Sequence, residues 1–600
     1  MNEPAPYAEY GRLQVSTDLS RPPELTVSGT LAGMLDGVTV LARRRGDRAE
    51  KRQPAVASAG IFRAVLDLGQ LAADGQAMVW DLYLQPVAGG PATAIRAPEP
   101  DLPHRPRVLR YPTRQVRTVG GACEVGPYVT LDGRLAVAST PVPDPAPNPA
   151  ASRHPFTLVR RAVWRAVPES LRPVVRRARR ILIRRVARRA ASRLLVRAMA
   201  GRPHPAPAAD SEGRRIVFLL LHAYGMGGTI RTTLNLAAQL TRDHDVGVVS
   251  VLRHRTEPFF AFPPGVTVTV LADRTRPEPA PRGWLPRYLH RSASVLIHSE
   301  DAGWADCSLS TDVALLRWLG SLPPCVLVTT RPAFNLIAAQ YAPAGVVQIG
   351  QEHQHFAAYR RGLAAAIAEH YPNLDGLVVL SRGDERDYRK LLDRTRVVRI
   401  PNALTNPETA PVAAVAPRGK VVVAAGRLTP QKGFDRLIEA FAVVVTQEPD
   451  WTLRIYGGGP KAGQLRSLIF QHELYNSVFL MGATDRLAEE MAQGSVFALS
   501  SRYEGFGMVI IEAMAQGLPV VSFDCPNGPA EIITDGLDGL LVPDGDVPAF
   551  ATALLDLIRD GDKRIRLATA ARTTLQRYGP EVIGNQWREL LTTVDVRPRA

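Results

Sequence analysis

The chain has 600 residues, 46% of them apolar, enough for a large core and roughly three to four domains at ~150 residues each. Its four cysteines (Cys123, Cys307, Cys325, Cys525) show no CxxC or other paired spacing, so neither a disulfide framework nor a zinc site is suggested; "MNEPAPYAEYGRL" lacks a signal-peptide pattern and no run of ~18 uncharged apolar residues occurs, so a reducing, cytoplasmic setting without a spanning helix is expected. The net charge of +16 is not a property of the whole chain: residues 153–202 hold sixteen arginines, no lysine and one acid, Glu169, and carry +15 of it.

In chain order, residues 1–138 have an all-β pattern. Short alternating runs such as "ELTVSG" and "MVWDLYL" are broken by turn signals, and "YVTLDGRLAVA" places Asp132-Gly133 between two strands as a hairpin. Residues 139–213 comprise two Pro-rich linkers, "TPVPDPAPNPAA" and "GRPHPAPAADSEG", around a basic amphipathic helix. Within it Leu171, Val175, Ala178, Leu182, Val186, Ala190 and Leu194 recur at helical spacing. From Arg214 strands and helices alternate. "RIVFLLLHAY", "DVGVVSVL", "VTVTVL", "SVLIH", "CVLVTT", "VVQIG" and "GLVVLS" are expected as strands buried on both faces. The alternation restarts after residue 402 with "KVVVAAG", "TLRIYGG", "VFLMGA", "VFALSS" and "PVVSFD". The expected fold class is therefore α/β, with two doubly wound Rossmann-like domains, residues 214–402 and 403–600, facing a cleft.

Three stretches carry chemistry. "HAYGMGGTIRTTLNLAAQL" puts Gly225, Gly227 and Gly228 between a strand and a helix, where backbone N–H groups approach a phosphate closely. A plain strand–helix turn would look the same. "AAGRLTPQKGFDRLIEAF" sets Arg427 and Lys432 across a turn at a strand's carboxyl end, where two cations neutralise a departing diphosphate. Solvated surface cations are the alternative. "SSRYEGFGMVIIEAMAQG" sets Glu512 among Ile510, Ile511, Ala513 and Met514, where a carboxylate is costly unless something pairs with it. A ribose diol is such a partner, with Glu504 toward a sugar and the helix N-terminus toward phosphates.

Over residues 214 to about 595 these stretches, with "IYGGGP" and "AMAQGLPVVSFDCPNGPAEII", resemble in order the retaining glycosyltransferases of family 4, which have the GT-B fold. The resemblance implies a nucleotide-diphosphate sugar donor, with Glu512 on the ribose, Glu504 on the sugar and Arg427 and Lys432 on the diphosphate. It places Gly227 and Gly228 on the acceptor-side loop, and adds Gly458, Gly505, Phe506, Gly507 and Met508 to the substrate-binding set. It also implies a last helix that crosses back to the first domain, and a histidine after a strand of that domain. "VVQIGQEHQHF" supplies His353, with His355 as second candidate; a histidine merely satisfied at a strand end is the alternative. No metal and no cofactor are expected, because the two cations and a helix dipole do that work. Retention without a placed carboxylate nucleophile implies same-face attack, with the leaving phosphate taking the acceptor's proton.

Through "WDLYL" and "YVTLDGRLAV" the β-rich region resembles accessory domains of enzymes that build teichoic-acid-like polymers. The expected acceptor is a cell-envelope glycan or a polyol-phosphate chain made at the inner membrane face. Residues 170–200 are expected to lie on anionic lipid as an interfacial helix. Two other readings compete with a transferase: a GT-B binding module without catalysis, and a nucleic-acid-binding protein acting through the arginine run. Trp164, Ile181, Leu182 and Ile183 within that run, and the absence of a nucleic-acid motif, weigh against the latter.

Overall fold

The computed structural model describes residues 190–201, 214–275, 283–404 and 419–594, together with the strands between residues 8 and 141 and their flanks. It divides into two compact units: Met1–Arg153, Pro417–Ser500 and Gly545–Gly561 form the first, and His154–Ala416, Ser501–Asp544 and Asp562–Ala600 the second.

The first unit opens with an antiparallel sheet of β1 (Ala8–Val15), β2 (Glu24–Leu31), β3 (Val38–Arg44), β4 (Glu50–Ser58), β5 (Ile61–Asp67), β6 (Met78–Pro86), β7 (Thr93–Ala94), β8 (Arg114–Thr118), β9 (Gly121–Val129) and β10 (Leu135–Pro141). The order is β1-β2-β5-β4-β3-β6-β10-β9-β8, with β7 beside β6. Alternation builds it: in β5, Phe62, Ala64 and Leu66 face the core while Ile61, Arg63, Val65 and Asp67 are exposed. β9 and β10 pair antiparallel with Val129 opposite Leu135, while the turn expected at Asp132-Gly133 lies outside the described residues. Trp80, 2% exposed, donates its indole N–H to the Leu71 carbonyl at 2.9 Å. Tyr111 meets Tyr475 edge-on at 6.0 Å, which ties this sheet to the unit's α/β part.

That α/β part contains the parallel strands β18 (Val421–Ala425), β19 (Thr452–Tyr456), β20 (Val478–Gly482) and β21 (Val496–Leu499), in order β20-β19-β18-β21. β18, β19 and β21 are buried along their whole length, as strands covered on both faces must be.

The second unit holds a seven-stranded parallel sheet of β11 (Ile216–Leu220), β12 (Val246–Arg253), β13 (Thr267–Asp273), β14 (Val326–Thr329), β15 (Val347–Gln351), β16 (Gly376–Val379) and β17 (Arg396–Arg399). Its order, β13-β12-β11-β14-β15-β16-β17, reverses at β11, and ligands of such sheets sit beyond the carboxyl ends at that reversal. Ile216 and Phe218 pack on one face with Trp587, and Val217 and Leu219 on the other with Phe334. The helix Pro580–Thr593 lies against the helix Gly228–Leu240, and Arg588 ties them by reaching Asp243 at 2.7 Å and the Gln239 carbonyl at 2.9 Å. β22 (Val520–Asp524) and β23 (Leu540–Pro543) pair in parallel in the same unit.

Three expectations need correction. "SVLIH" forms no strand, because side chains satisfy its backbone. The Asp312 carboxylate accepts from the N–H groups of Val295 at 2.8 Å and Leu296 at 3.4 Å, and Ser294 Oγ from Ile297 N–H at 2.9 Å. Burial lifts Asp312 to a pKa of about 6 despite those bonds. "VTVTVL" is β13, an edge strand, and stays half-exposed instead of buried on both faces. The third concerns the basic helix. Leu171 through Val186 of its apolar stripe lie outside the described residues, and the helix is described over 190–200. There Ala190 and Leu194 face outward, Leu194 being 67% exposed, while Val196 is fully buried against Leu289, Leu309 and Val313 of its own unit. The end of the arginine-rich segment thus docks through the face opposite the expected stripe, and Arg317 donates to its Met199 carbonyl at 2.8 Å. Among the described residues no helix is long and apolar enough to cross a membrane.

Candidate active site

The second unit gathers most of the candidate residues. Gly227 caps the helix Gly228–Leu240, and a side chain at Gly228 would point into open space. In the first turn of that helix stands Arg231. Its Nη1 lies 3.1 Å from Glu512 Oε1, with the two side chains 30% and 18% exposed. Glu512 is therefore paired with a guanidinium that sequence spacing did not disclose, since 281 residues separate them. The helix that carries it, Met508–Ala515, starts at Gly507, whose φ of +92° suits glycine. Ile510, Ile511, Ala513 and Met514 are buried, so the neighbours of Glu512 are core as expected. Phe506 is 3% exposed and packs edge-on against Tyr578, so its side chain serves the core and a ligand could meet only its backbone.

Glu504, 5% exposed, accepts from Ser501 Oγ at 2.5 Å, and its N–H donates to the Pro526 carbonyl at 3.3 Å. Gly505 lies directly on the backbone of His353: a Cβ there would stand 2.1 Å from the His353 carbonyl oxygen. The structure thus brings His353, at the end of β15, against the loop that carries Glu504. His353 Nε2 is enclosed and has no hydrogen-bond partner among the described residues, and burial pushes the imidazole down to about 4, so it is neutral at physiological pH. His355, by contrast, is engaged: its Nδ1 is 2.7 Å from Asn527 Nδ2 and 3.8 Å from Asp384 Oδ1. It holds the loop, which leaves His353 as the histidine with an uncommitted nitrogen.

Glu352, beside His353, was not singled out by the sequence. Its carboxyl is buried in a polar cluster, accepting from Asn335 Nδ2 at 2.9 Å, from Tyr359 Oη at 2.5 Å and from Tyr371 Oη. Burial outweighs these bonds and raises its pKa from 4.5 to about 7. The native state therefore holds a proton that the unfolded chain releases, so this stabilisation is complete below about pH 4.5 and is lost as pH rises through about 7. Glu352→Gln should remove that loss. The melting-temperature difference, wild type minus variant, is expected to fall between about pH 5 and pH 8, and a flat difference would disprove the assignment.

The first unit holds the remaining candidates. Arg427 follows β18 and is exposed. Lys432 ends a 3-10 turn, Pro430–Lys432, whose carbonyl accepts from Ser500 Oγ at 2.9 Å. The Lys432 stem lies over Gly426, where a Cβ would meet its Cε at 3.0 Å. Gly458 is open on its side-chain side, whereas its neighbour Gly457 is demanded by packing: a Cβ there would lie 1.9 Å from the Gly426 carbonyl. Among the described residues no three His, Cys, Asp or Glu side chains gather into a metal-holding group.

Comparison with known proteins agrees with this architecture. The family model for "Glycosyl transferases group 1" matches residues 406–574. An exopolysaccharide phosphotransferase of Streptomyces coelicolor is 36% identical over 392 residues, 63% of this chain and 40% of the relative. An amylovoran biosynthesis glycosyltransferase of Erwinia amylovora is 38% identical over 170 residues, 28% of this chain and 47% of the relative. A poly(ribitol-phosphate) alpha-N-acetylglucosaminyltransferase of Staphylococcus aureus is 27% identical over 234 residues, 38% of this chain and 46% of the relative. The chain thus spans less than half the length of these curated relatives. Among solved structures, S. aureus TarM with Fondaparinux, alpha-GlcNAc-glycerol and UDP aligns with a TM-score of 0.51 at 15% identity, covering 63% of this chain and 100% of that one. Sucrose-phosphate synthase from Thermosynechococcus elongatus aligns with a TM-score of 0.50 at 20% identity, over 63% of this chain and 98% of that one. Residues 406–574 are thus similar to group 1 glycosyltransferases, and the chain has a GT-B fold preceded by an antiparallel β region.

Proposed function

We propose that this chain is a retaining, family 4 glycosyltransferase that moves a hexose-type sugar from a nucleotide diphosphate to a cell-envelope acceptor, a polyol-phosphate polymer or lipid-linked glycan. The observation that carries the reading is the seating of the His353 carbonyl on Gly505, between Glu504 and the helix of Glu512. A neutral imidazole, a carboxylate and a glycine-started helix then share one loop cluster, which supports a polar, hydroxyl-bearing ligand there. In this reading Glu512 takes the ribose hydroxyls, Glu504 the sugar, and Arg427 and Lys432 the diphosphate, with Gly227 and Gly228 on the acceptor side. The curated relatives, whose names speak of exopolysaccharide, amylovoran and poly(ribitol-phosphate), support an envelope acceptor.

The test is a screen of nucleotide sugars for hydrolysis, followed by calorimetric titration of the preferred nucleoside diphosphate. Glu512→Gln should weaken that diphosphate about ten- to a hundred-fold, since a charge-assisted bond contributes about 1.5–3 kcal/mol. Unchanged affinity in a folded variant removes Glu512 from the donor site.

We also propose that the enzyme works peripherally on the inner face of the membrane. Leu194 and Trp284, 67% and 78% exposed, support this, as does the +15 charge of residues 153–202. Anionic vesicles should co-sediment with the full chain, less so as salt rises, and not with a chain lacking 153–202. Equal sedimentation of both refutes the membrane role.

A further inference from the structure

Beyond the carboxyl edge of the seven-stranded sheet lies a cavity of about 600 Å³, separate from the Glu504 and Glu512 loop cluster. Its walls include Arg274, His290, Arg291, Trp304, Asp306 and Ser308. Arg274 follows β13, Arg291 ends the helix Trp284–Arg291, and Ser308 caps the helix Leu309–Gly320, so independent elements converge on one space.

The local charges do not cancel. Three nearby carboxylates are already committed. Asp273 takes Arg253 at 3.4 Å and Thr275 Oγ1 at 2.7 Å. Asp301 takes Arg331, and Asp312 takes Ser294 Oγ at 2.6 Å with two backbone N–H groups. Asp306 leans the other way, its Oδ2 being 3.5 Å from His222 Nε2. Among the described residues Arg274 and Arg291 form no ion pair, so two guanidinium forks line a cavity with one carboxylate in its wall. Arginine forks match phosphate oxygens in pairs. The Trp304 indole, fixed by its N–H bond to the Ser294 carbonyl at 3.1 Å, offers a flat apolar wall suited to the C–H face of a sugar or polyol. Asp306 provides an acceptor for hydroxyls. A carboxylate in the wall disfavours a bare anion, so the chemistry fits a phosphate ester that also carries hydroxyls.

We infer that this cavity is a subsite for a phosphorylated polyol or sugar, held by Arg274 and Arg291 through its phosphate and by Trp304 and Asp306 through its carbon chain and hydroxyls. It rests on the transferase reading and gives the acceptor's class. Its position supports that role: Asp306 contacts His222, which stands just past β11 at the sheet's reversal, and the Gly225–Gly228 loop follows directly.

The experiment titrates glycerol 3-phosphate, inorganic phosphate and glycerol into the full-length protein by calorimetry, with a nucleoside diphosphate titrated in parallel. Wild type should bind glycerol 3-phosphate more tightly than inorganic phosphate and should not bind glycerol. Arg274→Ala and Arg291→Ala should each weaken glycerol 3-phosphate about tenfold or more, Arg291→Lys should lose less, and nucleoside diphosphate affinity should stay at the wild-type value throughout. Equal glycerol 3-phosphate affinity in wild type and both alanine variants overturns the subsite, as does inorganic phosphate binding as tightly as the ester. Failure of wild type to bind any nucleoside diphosphate sinks the transferase reading instead, which separates the two ideas.

Discussion

Lys432→Ala is expected to lower turnover by about 100-fold or more while weakening donor binding far less. The expectation follows from where charge changes. On the proposed reading the diphosphate gains negative charge as the sugar departs, so a fixed cation beside it lowers the barrier more than it strengthens the ground state. Fixing is what the local structure provides. The 3-10 turn holds the lysine backbone, the Ser500 hydroxyl bonds to its carbonyl, and Gly433 at φ +61° closes the turn with its would-be Cβ only 2.1 Å from the Ser500 carbonyl oxygen. A side chain at Gly433 would open that turn. Arg427, reached through the same turn but exposed, should show the same preference for turnover over binding. Steady-state kinetics on the donor found in the hydrolysis screen decide it. Near-wild-type turnover of the lysine variant would make both residues solvated surface cations.

Gly505→Ala should be comparably severe for a different reason. The new methyl would stand 2.1 Å from the His353 carbonyl, a distance that forces one backbone segment to move. The segment cannot yield freely. On one side Glu504 is held by Ser501 and by the Pro526 carbonyl, and on the other His355 is held by Asn527 and the Phe356 N–H by Asp384. The displacement therefore falls on the spacing between His353 and Glu504. A misplacement of about 1 Å costs on the order of 100-fold in rate when reacting groups must be held in register. The melting temperature should fall too, since overpacking against backbone costs about 1–3 kcal/mol, whereas the folded variant should keep its nucleoside diphosphate affinity, because Glu512 lies on the helix beyond the displaced loop. If the variant turns over like wild type, the contact between the two loops has no catalytic consequence.

Much of this protein was legible before any coordinates. Period-two alternation identified β2 and β6, and unbroken apolar runs identified β11, β12, β14, β15 and β16, because burial on one face or two leaves those signatures in the chain. The glycine at the start of the Met508–Ala515 helix and the cost of a carboxylate among isoleucines marked Glu512 as paired with something. Which partner it has was decided by the fold. Arg231 sits 281 residues earlier, and only packing of the segment Ser501–Asp544 with the first half of its unit makes the two meet. The same holds for Glu352, whose buried carboxyl takes bonds from Asn335, Tyr359 and Tyr371 across three different segments. Local patterns misled where a tertiary donor replaced a strand partner, as Asp312 does for "SVLIH". They also misled on the described end of the arginine-rich helix, which buries Val196 against Leu289, Leu309 and Val313 and leaves Ala190 and Leu194 of the expected stripe exposed. Sequence by itself determined the elements, since each depends on periodicity and turn chemistry within a short window. Tertiary structure alone decided which nitrogen of "QEHQH" stays uncommitted and which arginines escape ion pairing, because hydrogen bonds and charge neutralisation are settled between residues far apart in the chain.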